Sequence, residues 1–564
     1  MPNQHPSLGR QLPLRHLSIR VPWNDTDWTG RICHKPGANM SCTVLGNIRD
    51  NRDEKAEREL AGKSWEGLGE AMLPPCVRER GGFMAPYPLS VTVRHPYTAS
   101  SPAHGHLLPT TVRFPAYSAP ALPFSWYLLE MAQEKARSLA LNFRSDIEEQ
   151  IEKDMGFKSN WVQTGHNQMV MLETFYSAIQ PDRSLCIFYA KKTPLTEDPR
   201  RVIIGAGFVR GLGDVVPYAR SGEGSDPIIW ERPILHSIRD GFADGFLLPY
   251  HQLLDYANAH PEENPEQFVA FAPAEHFEAF SYASEHVNSD GAIAALLSCA
   301  AALTRIDRVL PGDRSHIQAW IDARLAELWR MRGPCPGLGA ALTAFGLERG
   351  TLLAYELERV VAADHPDGMV DPWPYVDRLF AADPALPESL RQVSPTLRRV
   401  WEGLPAERKA LVQLLARFDL SPEQATRYFV HEDSSRARLG IAVADADILS
   451  NPYLLYELDR IAPDAIPLAV IDRGLFPDAT IATAFPLPEP SQVADATDPR
   501  RVRAYVVEAL ELAAALGDTL LPRDRLVTQL RERELRPGLP LTGDIMAVCA
   551  PDLLPVAQAV QLAD

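Results

Sequence analysis

The sequence predicts an α+β multidomain protein whose two halves differ in kind. Three observations carry that expectation. At 564 residues the chain exceeds what one hydrophobic core serves, so three to five domains are expected. The stretches SLCIFYAKK (184–192) and RVIIGAGFVRGLG (201–213) are β-branched, aromatic and punctuated by glycine, as strands are. Beyond about residue 260, apolar residues recur at helical spacing in GAIAALLSCAAALTRI (291–306), HIQAWIDARLAELWRM (316–331) and GTLLAYELERVVAAD (350–364). The expected organisation is an irregular, Cys- and Trp-containing domain (1–105), then a small mixed α/β or β-barrel-like domain (106–260). A helical domain (261–395), a helix-hairpin-helix region (396–462) and a linker with further helices (463–564) complete the mainly α-helical C-terminal half.

Taken in order, PNQHPSLGRQLPLRH reads as a loose arm, and HLSIRVPW (16–23) alternates as a strand does. TTVRFPAYSAPALPF leads into SWYLLEMAQEKARSLALNFR, a helix, and PIIWERPILHSI (227–238) reads as another strand. PAERKALVQLLARFDLSPEQATRYF (405–429) reads as two helices broken at Leu420-Ser421-Pro422. There Ser421 is the N-cap, Pro422 takes the first helical position and Gln424 completes a capping box. ILSNPYLLYELDR (448–460) reads as a capped apolar helix, 466–499 as a Pro-rich connection, and 500–537 as helix, turn, helix.

Composition narrows the function classes. A hydrophobic content of 46% and a charged content of 23% are those of an ordinary globular protein, and the 49 prolines limit long helices. The net charge of −17 argues against a surface that coats nucleic acid throughout, while leaving room for a local basic groove. Seven irregularly spaced cysteines point to a reducing compartment. The opening residues MPNQHPSLGRQ hold no apolar signal core, and nothing approaches 18 consecutive apolar residues, so a cytoplasmic location is expected.

The sequence contains no GxxxxGK[ST], so it carries no phosphate cradle of that kind; the glycines of GAGFVRGLGDVV (205–216) fit strand bends instead. Cys33 and Cys42, nine apart in RICHKPGANMSC, together with Cys76 in LPPCVRERGG, are the candidate inorganic site. Thiolates select zinc or an iron–sulfur cluster, with His34 or His95 as a fourth ligand; the alternative is three reduced cysteines under a small core. There is no GxSxG, and Cys186 reads as core. EKDMGFK (152–158) has the residue types of a nuclease site but in a helical context. Phe188-Tyr189 ahead of Ile203-Ile204-Gly205-Ala206-Gly207 faintly resembles the small barrels of the EVE and PUA families. That resemblance implies a flipped-base pocket built from Trp161, Tyr189 and Trp230, whose alternative employment is barrel core.

PCPGLGAALTAFG (334–346) has the Gly-containing hairpin of a helix-hairpin-helix, with Gly337, Gly339 and the preceding Arg330 and Arg332 as candidate phosphate contacts. In 404–460, Arg427, Arg436 and Arg438 flank a turn, above an apolar stripe of Leu411, Leu414, Leu415 and Phe418. LLARFDLSPEQATRYF followed by ILSNPYLLYELDR resembles the region ahead of the motor in RecD-like superfamily 1 DNA helicases (exodeoxyribonuclease V alpha-subunit-like proteins). DPRRVRAYVVEALELAAALGDTLLPRDRLVTQL (498–530) strengthens the resemblance at Asp498, Arg501, Val502, Ala504, Leu510, Ala513, Gly517, Thr519, Leu521 and Pro522, while Asp518 stands where that family often has His.

The resemblance covers roughly 400–535 and implies winged-helix-like elements after 463. The N-terminal region is similar to the extension of RecD-like proteins found beside phage-defence genes. It further implies DNA processing or defence on single-stranded or forked DNA, with ATP and magnesium handled by a motor after residue 564 or on another polypeptide. Arg500, Arg501 and Arg503 join the implied DNA contacts. Two other readings stay open. One is a modified-base reader or nuclease in 106–260; the other is a non-enzymatic scaffold that recruits a helicase.

Overall fold

HLSIR, LCIFYA and VIIGAGFVRGL, drawn from two of the expected domains, lie side by side at the centre of one sheet. The computed structural model describes residues 9–561 except 50–52, 81, 96–97, 99–103, 156–157, 216, 219–227, 230–231, 240–242, 366–368, 430–442 and 494. Its strands are β1 (His16–Arg20), β2 (Leu89–Val93), β3 (Thr110–Phe114), β4 (Ser118–Ala121), β5 (Leu185–Ala190) and β6 (Val202–Leu212). β7 (Pro217–Tyr218), β8 (Ile228–Ile229), β9 (Arg232–His236), β10 (Gly245–Leu247) and β11 (Ser284–Val287) complete the set. A curled seven-stranded sheet has the order β11-β1-β5-β6-β9-β4, with β10 also paired to β6; β2-β3 and β7-β8 form two-stranded ribbons. Only β1 and β5 are parallel neighbours within it.

Burial explains the composition of the central strands. Every residue of β5 and the first eight of β6 are buried, so both read as continuous apolar runs. Gly205 is required by close approach: a Cβ there would lie 2.2 Å from the Phe246 carbonyl oxygen of β10. The strand-bend reading of these glycines therefore becomes a strand-crossing one.

The chain divides into two compact units, Met1–Leu328 and Trp329–Asp564. This revises the expected boundaries at 105 and 260. β1, from the supposed irregular domain, sits between β5 and β11, so segments from three expected domains share one sheet. The barrel expectation changes too, because among the described residues β11 and β4 end the order without pairing to each other. Helix Ser289–Ile306 is the one described helix long and apolar enough to span a membrane; it packs instead on β6 and β11, with Ile293, Leu296, Cys299 and Leu303 buried.

Glu285 on β11 is buried, and that burial pushes its carboxyl up to about 7 against the pull of Ser125 and Lys135. Between its ordinary value near 4.5 and about 7 the folded state holds a proton that the unfolded chain releases. Stability therefore falls as pH rises through that window, at about 1.4 kcal/mol per pH unit and so by a few kcal/mol in all. Glu285→Gln is expected to flatten the decline and to raise the unfolding midpoint above pH 7. Urea unfolding at a series of pH values reads both; an unchanged slope would remove Glu285 as the source.

The described residues of the second unit form helices around one core. Ser421 and Gln424 make the expected capping box: Ser421 Oγ accepts from Gln424 N at 3.1 Å, and Gln424 Oε1 accepts from Ser421 N at 2.9 Å. Leu411, Leu414, Leu415 and Phe418 are buried, as their stripe predicts. The stretch 448–460 is not one helix. Asp445–Ser450 and Leu454–Asp459 are separate short helices joined through Asn451-Pro452-Tyr453, and Ser450 Oγ donates back to Asp447 O instead of capping. Nor is 466–499 only a connection. It contains helices Leu468–Leu475 and Ala479–Ala484, with Leu468, Val470, Ile471 and Leu475 filling the core at helical spacing.

Candidate functional site

Two of the three N-terminal cysteines meet, and the third lines the same cavity. WNDTDWTGRICHKP folds back on itself because its short polar side chains cap its own amides: Asn24 Oδ1 accepts from Thr26 N, Asp25 from His34 N and Lys35 N, and Asp27 from Thr29 N. Asn39 then fixes the entry to helix Met40–Arg49. Its Oδ1 accepts from Ser41 N and Cys42 N in the first turn, while its Nδ2 donates to Trp23 O at 2.7 Å and to Cys33 Sγ at 3.3 Å. Cys76 enters from helix Pro75–Arg80 and stands 3.4 Å, sulfur to sulfur, from Cys42.

Cys33, Cys42 and Cys76 line one small cavity of about 20 Å³ with Trp23, Asn24, Trp65 and Phe83, partly open to solvent. The hydrogen bond with Cys42, and then burial, hold the Cys76 thiol well above its ordinary pKa, and burial with nearby Asp25 raises that of Cys33. As bare thiols they are protonated and weakly nucleophilic. The buried indole N–H groups of Trp23 and Trp65 have no acceptor.

Neither histidine joins them as expected. His34 is exposed, with its ring over Gly62. His95 packs edge-on against Tyr218 at 4.9 Å; burial, with His104 and His106 nearby, pushes it down to about 3.

A second cluster was missed by sequence reasoning. Arg20 ends β1, Lys191 and Lys192 come directly after β5, and Arg201 precedes β6. The parallel β1-β5 pair and the antiparallel β5-β6 pair bring all four to one end of the central strands. Lys191 and Lys192 are exposed. Arg201 lies 5.2 Å from the ring of Phe277, which is 53% exposed. Partial burial, and then repulsion from Arg201, Arg20 and Lys192, lowers the Lys191 pKa. The available signal was a pair of dibasic steps, Lys191-Lys192 and Arg200-Arg201, closing one strand and opening its antiparallel neighbour.

The expected base pocket does not form from the residues named for it. Tyr189 is fully buried, edge-on to Phe280, and its hydroxyl donates to Tyr282 O, so its ring faces the core. Trp161 packs edge-on to Phe124 at 4.7 Å. Trp230 lies outside the described residues. Cys186 is buried in β5, as its apolar surroundings predict, and burial pushes its thiol up.

Four of the six described arginines expected to hold phosphate hold protein carboxylates instead. Arg427 makes a two-pronged pair with Asp459 at 2.6 and 2.7 Å and reaches Asp464; Arg500 pairs with Asp498 and Ser450 O; Arg503 pairs with Glu457. Arg501 is fully buried. Its fork clamps Asp472 at 2.8 and 2.9 Å, and Tyr453 and Tyr505 donate to the same carboxylate at 2.6 and 2.9 Å. A guanidinium with no solvent exposure presents nothing to a DNA backbone.

Arg332 is buried on Arg417 O, whereas Arg330 is exposed in the last turn of helix Ser315–Arg332. Gly337 donates its amide to Ala416 O, and an added Cβ would lie 1.9 Å from Phe418 O; Gly339 backs onto Thr351. These are close-packing glycines, and the Gly337 amide is occupied. Arg436 and Arg438 fall outside the described residues. No known protein family, curated protein or solved structure matches the chain.

Proposed function

We propose that this chain binds single-stranded or forked DNA as the pre-motor portion of a RecD-like helicase, with the cluster Arg20, Lys191, Lys192 and Arg201 as its main backbone contact. The carrying observation is local concentration of positive charge in a chain of net charge −17, beside an exposed aromatic ring. Four cations that repel one another gain by meeting a polyanion, and Phe277 adds a face on which a base stacks. The family part of the reading rests on the strings that carry the resemblance. They lock together around Asp472, so Asp498, Arg501, Val502 and Ala504 have structural work that accounts for their pattern. Their job is to brace a helical unit, and the charge that grips lies elsewhere.

Fluorescence anisotropy of the full chain with a labelled fork, across a salt series, tests this. Each phosphate contact on a single strand contributes ~0.7 to the slope of log affinity against log salt. The triple variant Lys191→Glu, Lys192→Glu, Arg201→Glu is expected to weaken binding at least tenfold and to flatten the slope by about 2. Binding that keeps its affinity and slope in the triple variant would overturn the assignment of the cluster. Absence of salt-dependent binding in the unaltered chain would overturn the DNA reading itself.

A further inference from the structure

The geometry points to a single thiolate-bound zinc ion held by Cys33, Cys42 and Cys76, with the cavity of Trp23, Trp65 and Phe83 around it. Three observations carry this beyond a chance meeting of cysteines. The sulfurs of Cys42 and Cys76 are 3.4 Å apart. Two thiolates on one tetrahedral zinc, each about 2.3 Å from the metal, stand about 3.8 Å apart, whereas a disulfide would bring them to ~2.05 Å. The observed spacing is close to that of ligands on one ion. Clusters of the common kinds take four protein ligands and this lining offers three sulfurs with no His, which favours a single zinc ion.

The second observation is the support around the third sulfur. Asn39 Nδ2 donates to Cys33 Sγ while its other atoms fix Trp23 and the helix that carries Cys42. A buried N–H aimed at a ligand sulfur is how proteins orient and stabilise a metal thiolate. The third is the composition of the lining, in which the three sulfurs stand among apolar and aromatic side chains such as Trp23, Trp65, Val77 and Phe83 that offer a metal no competing ligand.

Among the described residues no three His, Cys, Asp or Glu side chains already surround a common point. Cys33 engages Asn24 and Asn39, so binding requires its thiol to give up the 3.6 Å contact with Asn24 Oδ1 and turn to the ion. Among the described residues the cavity is lined by no His, Asp or Glu. Three protein ligands therefore leave one position of the tetrahedron, filled by water in the resting protein. Binding releases the thiol protons, so affinity rises with pH.

The test uses the full chain, purified under reducing conditions. Metal analysis is expected to give one zinc per chain, and exchange with cobalt(II) to give the sulfur-to-cobalt charge-transfer bands and intense visible bands of a tetrahedral thiolate site. Cys33→Ser, Cys42→Ser and Cys76→Ser are each expected to lower zinc affinity at least tenfold, while Cys335→Ser keeps full occupancy. The cobalt spectrum of the unaltered chain decides the matter even where a serine variant fails to fold. No bound metal together with seven titratable thiols would overturn the proposal. So would a Cys42–Cys76 disulfide, or iron with inorganic sulfide.

Discussion

Arg501→Ala is expected to be among the most damaging single substitutions in the helical unit, lowering stability by about 3–5 kcal/mol and its unfolding midpoint by about 10 °C. The loss comes mainly from what remains behind. Asp472 is 5% exposed and shares its two oxygens among Arg501, Tyr453 and Tyr505. Without the guanidinium its charge stays buried with only two hydroxyl donors. Differential scanning calorimetry reads the shift. The double variant Arg501→Met, Asp472→Leu removes both charges and is expected to recover a substantial part of the loss. This pair also separates brace from grip: a folded double variant should bind forked DNA as tightly as the parent. A folded double variant with weakened DNA binding would return Arg501 to the DNA contacts.

Gly337→Ala is expected to cost about 3 kcal/mol, at the upper end for overpacking, although alanine favours helices and Gly337 has an ordinary φ of −90°. The obstacle is backbone. The new methyl would meet Phe418 O at 1.9 Å and Leu415 O at 3.2 Å, neither of which can swing away as a side chain tip does. The Gly337 N–H···O=C bond to Ala416 would be lost with any separation of the two segments. Urea unfolding should show the loss, and Gly333→Ala marks the contrast: its φ of +64° strains a side chain, but no atom lies within 4 Å of the added methyl. Equal stability of Gly337→Ala and the parent would show that the hairpin can open there, as a phosphate-binding loop must.

Local signals were read well because they act within one or two turns. The apolar periods at 291–306, 316–331 and 350–364 became helices Ser289–Ile306, Ser315–Arg332 and Gly350–Asp364. The Ser421 capping box formed as its spacing required. The boundaries at 105 and 260 failed because β1 finds its partners in β5 and β11, more than 160 residues away, and nothing in HLSIR says so. Helix Leu468–Leu475 was hidden by the prolines around it, although Pro467 merely precedes the first turn. The inward pairing of Arg427, Arg500, Arg501 and Arg503 was hidden for a related reason. A run such as DPRRVRA shows where positive charge lies along the chain but not which carboxylate waits across the fold, and Arg501 meets Asp472 from 29 residues away.

The sequence alone determined the central strands and the longer helices, where several helices begin, and that three loop-borne or helix-start cysteines were worth attention. Backbone propensity, capping and apolar period are properties of neighbours, so neighbours suffice to read them. Only the tertiary structure decided that Cys42 and Cys76 touch while His95 keeps other company, and that Lys191, Lys192 and Arg201 share one end of the central strands. It alone turned Arg501 inward. Those outcomes depend on strand order and helix packing, which are set by burial summed over the whole chain.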